Sequence, residues 1–181
     1  MLNSKRLRPI RAALDERGVA AIEFALVAPV AILLYCGFAE LTMAMMAERR
    51  AAHAASVVAD LVSQSSQVSN TEIADIFSIG GAIMKPFDAS TLKLRVTSVT
   101  ADANGVPKMT WSQAHGMAAT PAGTVAGFPP NMLAANESLI MADVSYSYTS
   151  PLRMTMPSAM TFTDTFYLKP RRSNSVACPT C

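Results

Sequence analysis

Glu23 is the residue of this chain whose position most needs a chemical reason. It lies in "RGVAAIEFALVAPV", four residues beyond Val19, and the apolar run that follows from Phe24 holds no other charge until Glu40. An acid inside a bilayer is costly unless it is protonated or paired, so such residues are functional candidates by default. One reading sets Glu23 at the membrane interface, where its carboxylate reaches headgroups and water. The other uses the spacing. A cut after Gly18 gives Val19 a new α-ammonium and makes Glu23 the fifth residue of the remaining chain. As helices stack, the carboxylate of one subunit can then pair with the amine of its neighbour, and a low-dielectric setting tolerates the pair far better than either ion alone.

Two further residue sets invite chemistry. Cys178 and Cys181 form "CPTC", the spacing of thiol-disulfide exchange, but active motifs of that kind lower the first thiol's pKa at a helix N-terminus. No helix follows here, so a structural disulfide in an oxidising compartment, or a free tail, fits the pattern better. Cys36, within the apolar run, reads as a small apolar residue. His53 and His115 lack sequence neighbours that would complete a triad or a metal cluster, and no phosphate-cradling glycine loop is present. The expectation is a non-enzyme with no metal and no cofactor.

The element that must carry Glu23 is a membrane helix. Apolar residues make up 51% of the 181 and charged ones 15%, and the apolar excess is concentrated near the N-terminus. Residues 19–47 suffice to cross a hydrocarbon core, for which roughly 20 residues are needed. Lys5, Arg6, Arg8, Arg11 and Arg17 against Asp15 and Glu16 give residues 1–18 a balance of +3, which leaves −1 for the rest. A basic flank predicts a cytoplasmic N-terminus and an exported remainder, 48–181. Nucleic acid is not an expected partner, because no basic face with interleaved aromatics occurs. A cleaved secretory signal has a shorter core, about 7 to 15 residues, and a small-x-small site that the Glu40 end does not offer. Pro29 removes a backbone donor and tends to kink the helix, whereas Gly37 and Ala39 allow close helix approach.

Beyond the span, Ala51, Ala54, Ala55, Val58, Leu61 and Val62 fall on one helical face to about Ser66, with His53, Ser56, Asp60 and Ser63 opposite. Ser69 and Glu72 form a possible capping box for a second helix over 71–84, whose stripe is Ile73, Ile76 and Phe77 and which Pro86 ends. The period then changes to two. Leu92, Leu94 and Val96 alternate with Lys93, Arg95 and Thr97; "PKMTWSQ" makes a hairpin partner across Asn104-Gly105. Residues 113–136 hold too many breakers for a long element, except a short turn near 131–135, and such loops are usually functional or mobile. Strand patterns resume with Ile140, Ala142, Val144, Tyr146 and Tyr148 on one face, then Phe162, Phe166 and Leu168. The predicted class is α+β, with a four-stranded antiparallel meander packed on the helices.

The basic leader, Gly18, Glu at the fifth position after it, Phe24 and the long apolar helix together resemble the signal of type IV pilin-like proteins. Lys85-Pro86-Phe87, Trp111-Ser112, "ADVSYSY" and the closing "YLKPRR" extend the resemblance to TadE-like minor pseudopilins of the tight adherence (Tad, Flp) pilus system. The resemblance implies a pilin-like fold and cleavage after Gly18 by an inner-membrane prepilin peptidase. It also implies assembly with other pilins, pseudopilins and the Tad machinery through the N-terminal helix. The competing expectation is an uncleaved single-span protein whose 113–136 loop binds a partner or surface.

Overall fold

The computed structural model describes residues 16–123, 125, 128, 129 and 132–181, without the side chains of 16 and 17. Lys5, Arg6, Arg8, Arg11 and Asp15 of the leader, with Gly127, Pro130 and Asn131 of the breaker-rich loop, lie outside the described residues. The architecture is α+β: α1 (Glu16–Ser63), α2 (Asn70–Ile83), β1 (Leu92–Ala101), β2 (Pro107–His115), β3 (Ser138–Tyr148) and β4 (Met160–Leu168).

Helix α1 is continuous through Pro29 and changes character along its length. The most apolar window of its first part is covered by no described residue. Phe24, Leu26, Tyr35 and Phe38 are each two-thirds exposed or more. From Glu40 onward one face is fully covered, in the stripe Glu40, Ala44, Ala47, Ala51, Ala55, Val58 and Val62. Steps of three and four keep these residues on one side. Alanine at four of these positions brings the helix axis close to the sheet. The covered stretch therefore reaches back into residues 40–47, which the sequence assigns to the span. Ser63, expected on the polar face, is fully buried, with its hydroxyl satisfied by the Asp60 carbonyl at 2.8 Å.

Helix α2 begins where the sequence signals it. The Ser69 hydroxyl accepts from the Glu72 amide, and the Glu72 carboxylate accepts from the Ser69 amide at 2.7 Å, a complete capping box. The Ser69 hydroxyl, then its amide, hold the Glu72 carboxyl below the ordinary range. Arg50 of α1 donates to the Ile83 carbonyl at the far end of α2, 3.1 Å away, where orphan carbonyls need donors. Gly80 permits the close approach between: a Cβ there would lie 2.8 Å from Leu94 Cδ1 and 3.1 Å from Val58 Cγ2.

The sheet is antiparallel, but its order is β2-β1-β3-β4, so the expected meander is corrected. The reason lies in β3. Ile140, Ala142, Val144, Tyr146 and Tyr148 join the core under the helices, as the alternation predicts, but Leu139 and Met141 on the opposite face are also buried. A strand apolar on both faces belongs inside a sheet, and the long connection from β2 carries it across to pair with β1. That same connection supplies the second cover: Val125 and Leu133 close over Val99, Ala101, Leu139 and Met141. The register slips at Ser98/Val99, where Ser98 faces Trp111 and Val99 faces Met109. This bulge sends Trp111 and Met109, two positions apart, into the two different clusters. The predicted Asn104-Gly105 turn is present, with Gly105 at φ 78° and the Asp102 carboxylate accepting from the Asn104 and Val106 amides.

The C-terminal segment is a strap. Ser138 Oγ donates to the Asn174 carbonyl, and the buried Trp111 Nε1 donates to that of Val176 at 2.7 Å. In the α1–α2 link the Val68 amide donates to the Ala177 carbonyl at 2.9 Å, and Asn70 donates to Thr180. Val176 is fully buried.

Candidate functional site

The residues singled out for processing and assembly lie together near the start of the described part of α1. The described part of α1 starts at Glu16, and the Gly18–Val19 bond sits within its first turn. Among the described residues, a Cβ on Gly18 would meet nothing within 4 Å, so packing within them does not require the glycine. Glycine costs a helix about 1 kcal/mol relative to alanine, which favours fraying of this turn. Val19 and Glu23 are four residues apart, hence on one face and separated by roughly 6 Å along the axis. Glu23 is exposed and makes no hydrogen bond or ion pair with any described residue. Phe24 beside it is 73% exposed.

At a rise of 1.5 Å per residue, residues 19–39 extend roughly 31 Å. A hydrocarbon core is ~30 Å thick. The uncovered part of α1 therefore matches one bilayer crossing, and it fits a single-span membrane anchor.

The uncovered part ends at a residue to which no sequence motif draws attention. Glu40 is fully buried, and its carboxylate accepts five hydrogen bonds from one loop, residues 150–156. Oε1 accepts from Ser150 Oγ at 2.8 Å and the Met154 amide at 2.9 Å. Oε2 accepts from the Thr155 amide at 2.8 Å, the Met156 amide at 2.9 Å, and the Thr155 hydroxyl. Three consecutive backbone N–H groups converging on one carboxylate form an anion-holding concavity, here filled by the protein's own side chain. One turn earlier, Gly37 makes room for the same loop: a Cβ at that position would lie 3.4 Å from Thr155 Cγ2. Glu40 thus pins the β3–β4 connection to α1 where the helix leaves the globular part. The signal available in the sequence was an acid within an apolar helix, the same signal that singled out Glu23. Its partners lie more than a hundred residues away, and no local pattern names them.

Cys178 and Cys181 are joined, with Cα atoms 5.4 Å apart. They close the end of the strap, and Cys178 packs against the main core. His115 stacks obliquely near Phe77, with ring centroids 6.3 Å apart, in an open groove between α2 and β2, and His53 is exposed on α1. The structure brings neither histidine to the cysteines or to Glu23. The 113–136 loop is partly spent on covering the sheet: the Met109 amide donates to the Gly123 carbonyl at 3.0 Å and the Val125 amide to that of Pro107 at 3.3 Å. That pairing shields the free edge of β2.

Residues 18–60 match the family described as TadE-like protein. The match begins at the candidate processing glycine, takes in Glu23 and Glu40, and ends within α1 before the sheet. No curated protein and no solved structure matches the chain.

Proposed function

We propose that the chain is a TadE-like minor pseudopilin that takes part in assembly of Tad/Flp-type pili for adhesion. In this reading a prepilin peptidase cuts after Gly18 on the cytoplasmic face of the inner membrane. Residues 19–39 then hold the protein in that membrane, with the α+β head in the periplasm. Assembly proceeds through the helix, where Glu23 pairs with the new α-ammonium of a neighbouring pilin or pseudopilin. The single observation that carries the reading is Glu23 itself: an acid without a partner among the described residues, on the face of its own helix shared with Val19, amid apolar side chains that no described residue covers. The family match starting at Gly18 supports the same assignment.

Intact mass and N-terminal sequencing of the membrane form test the processing step. The expected first residue is Val19, and Gly18→Leu is expected to leave the basic leader attached. Recovery of an intact Met1 from cells with an active prepilin peptidase would favour the other reading, an uncleaved membrane-anchored binding module.

A further inference from the structure

We infer that residues 150–154 form a second membrane contact, a short apolar and basic loop that rests in the lipid interface on the side where the head emerges. The inference rests on the reading of residues 19–39 as the membrane span. Three observations meet in this loop. The first is its level. Gly37 and Glu40 fix Thr155 against the last turn of the uncovered helix, so the loop lies where the span leaves the hydrocarbon core. The second is its composition. Leu152 and Met154 are 47% and 52% exposed, although they sit in a loop clamped against α1 by Glu40. The third is Arg153 between them, held at φ 51° with its side chain in solvent.

The clamp explains how the loop presents this face. Glu40 consumes the amides of 154 to 156, and Ser150 Oγ accepts from the Leu152 amide at 3.3 Å. With the backbone N–H groups of residues 152–156 bonded inward, the loop can enter a poorly hydrated layer without leaving those donors unpaired. Apolar side chains flanking a cation suit the interface, where acyl chains meet phosphates and a basic side chain can reach the headgroups. An apolar groove of 540 Å³ continues the surface, lined by Met43 and Met46 of α1 with Phe87, Tyr146, Tyr148 and Pro151. Its α1 residues directly prolong the lipid-facing helix. The occupant is therefore the bilayer itself, and the contact sets the tilt of the head over the membrane.

The test uses the full chain in vesicles of phosphatidylethanolamine and phosphatidylglycerol. Leu152→Cys, Val30→Cys and Val106→Cys are each spin-labelled in a Cys36→Ser background, with Trp111 emission as the check on folding. Val30 reports the span. Val106, in the turn after β1 at the opposite end of the sheet, reports water. The expected ratio of oxygen to polar nickel-chelate accessibility at 152 is several-fold above that at 106 and below that at 30. A water-like value at 152 beside a lipid-like value at 30 overturns the loop contact alone. Water-like values at both sites overturn the anchor reading and the loop contact with it.

Discussion

Glu23→Ala is expected to abolish piliation while the protein still enters the membrane and still loses its first 18 residues. Once the neighbour's α-ammonium has moved into the helix stack, removing its only carboxylate leaves a bare charge in a low-dielectric site. Breaking such a pair typically costs about 3–5 kcal/mol. At about tenfold per 1.4 kcal/mol, association falls by roughly a hundredfold to several thousandfold. Glu23→Gln keeps the shape and loses the charge, so it should fail nearly as badly, which separates pairing from packing. Because Glu23 is exposed and bonds to no described residue of its own chain, neither variant disturbs the head. Surface pili, measured by shearing and by electron microscopy, together with the mass of the membrane form, give the readout. Normal piliation in Glu23→Ala would show the pairing mechanism to be wrong.

Glu40→Ala should also leave processing intact, but it should loosen the head from the helix. The amides of Met154, Thr155 and Met156 and the hydroxyls of Ser150 and Thr155 all lose their acceptor. A buried donor without a partner pays its full desolvation cost, so the loop opens instead. Tryptic cleavage after Arg153, which lies inside the clamped loop, should rise about tenfold or more, since proteolysis follows the local opening equilibrium. Glu40→Gln retains only one carbonyl oxygen and turns an NH2 group toward the remaining donors, so it should rescue little. Unchanged cleavage at Arg153 in both variants would mean that the loop is held by its other packing and that Glu40 is dispensable.

The two acids show what a sequence reading can and cannot reach. Glu23 could be singled out from the sequence because its anomaly is local: it is counted from a glycine a few residues away within an apolar run. Glu40 carries the same anomaly, but its explanation is a concavity built by the β3–β4 connection, and only the folded chain brings the two together. Element types were legible for a similar reason. The Ser69/Glu72 box, the Asn104-Gly105 turn and the alternation of Leu92, Leu94 and Val96 are all short-range signals, and each element they mark is present. Strand order was not legible. The two-sided burial of β3 depends on Val125 and Leu133 folding back over it, and the breaker-rich stretch that contains them carries no periodic signal. The strap was hidden too, because its key contacts are to backbone carbonyls, as at Trp111 Nε1 and Val176, and a carbonyl is common to every residue.

The central claim is a contact between Glu23 and an amine on another subunit, and zero-length cross-linking measures it most directly. Membranes from actively piliating cells, treated with a lipid-soluble carbodiimide, should yield a peptide in which the Glu23 carboxyl is joined to the α-amine of a neighbouring chain. That product should vanish when the prepilin peptidase is inactivated, because no neighbour then carries a new amine. Recovery of Glu23 unmodified, or joined only to the Val19 amine of its own chain, would contradict the account.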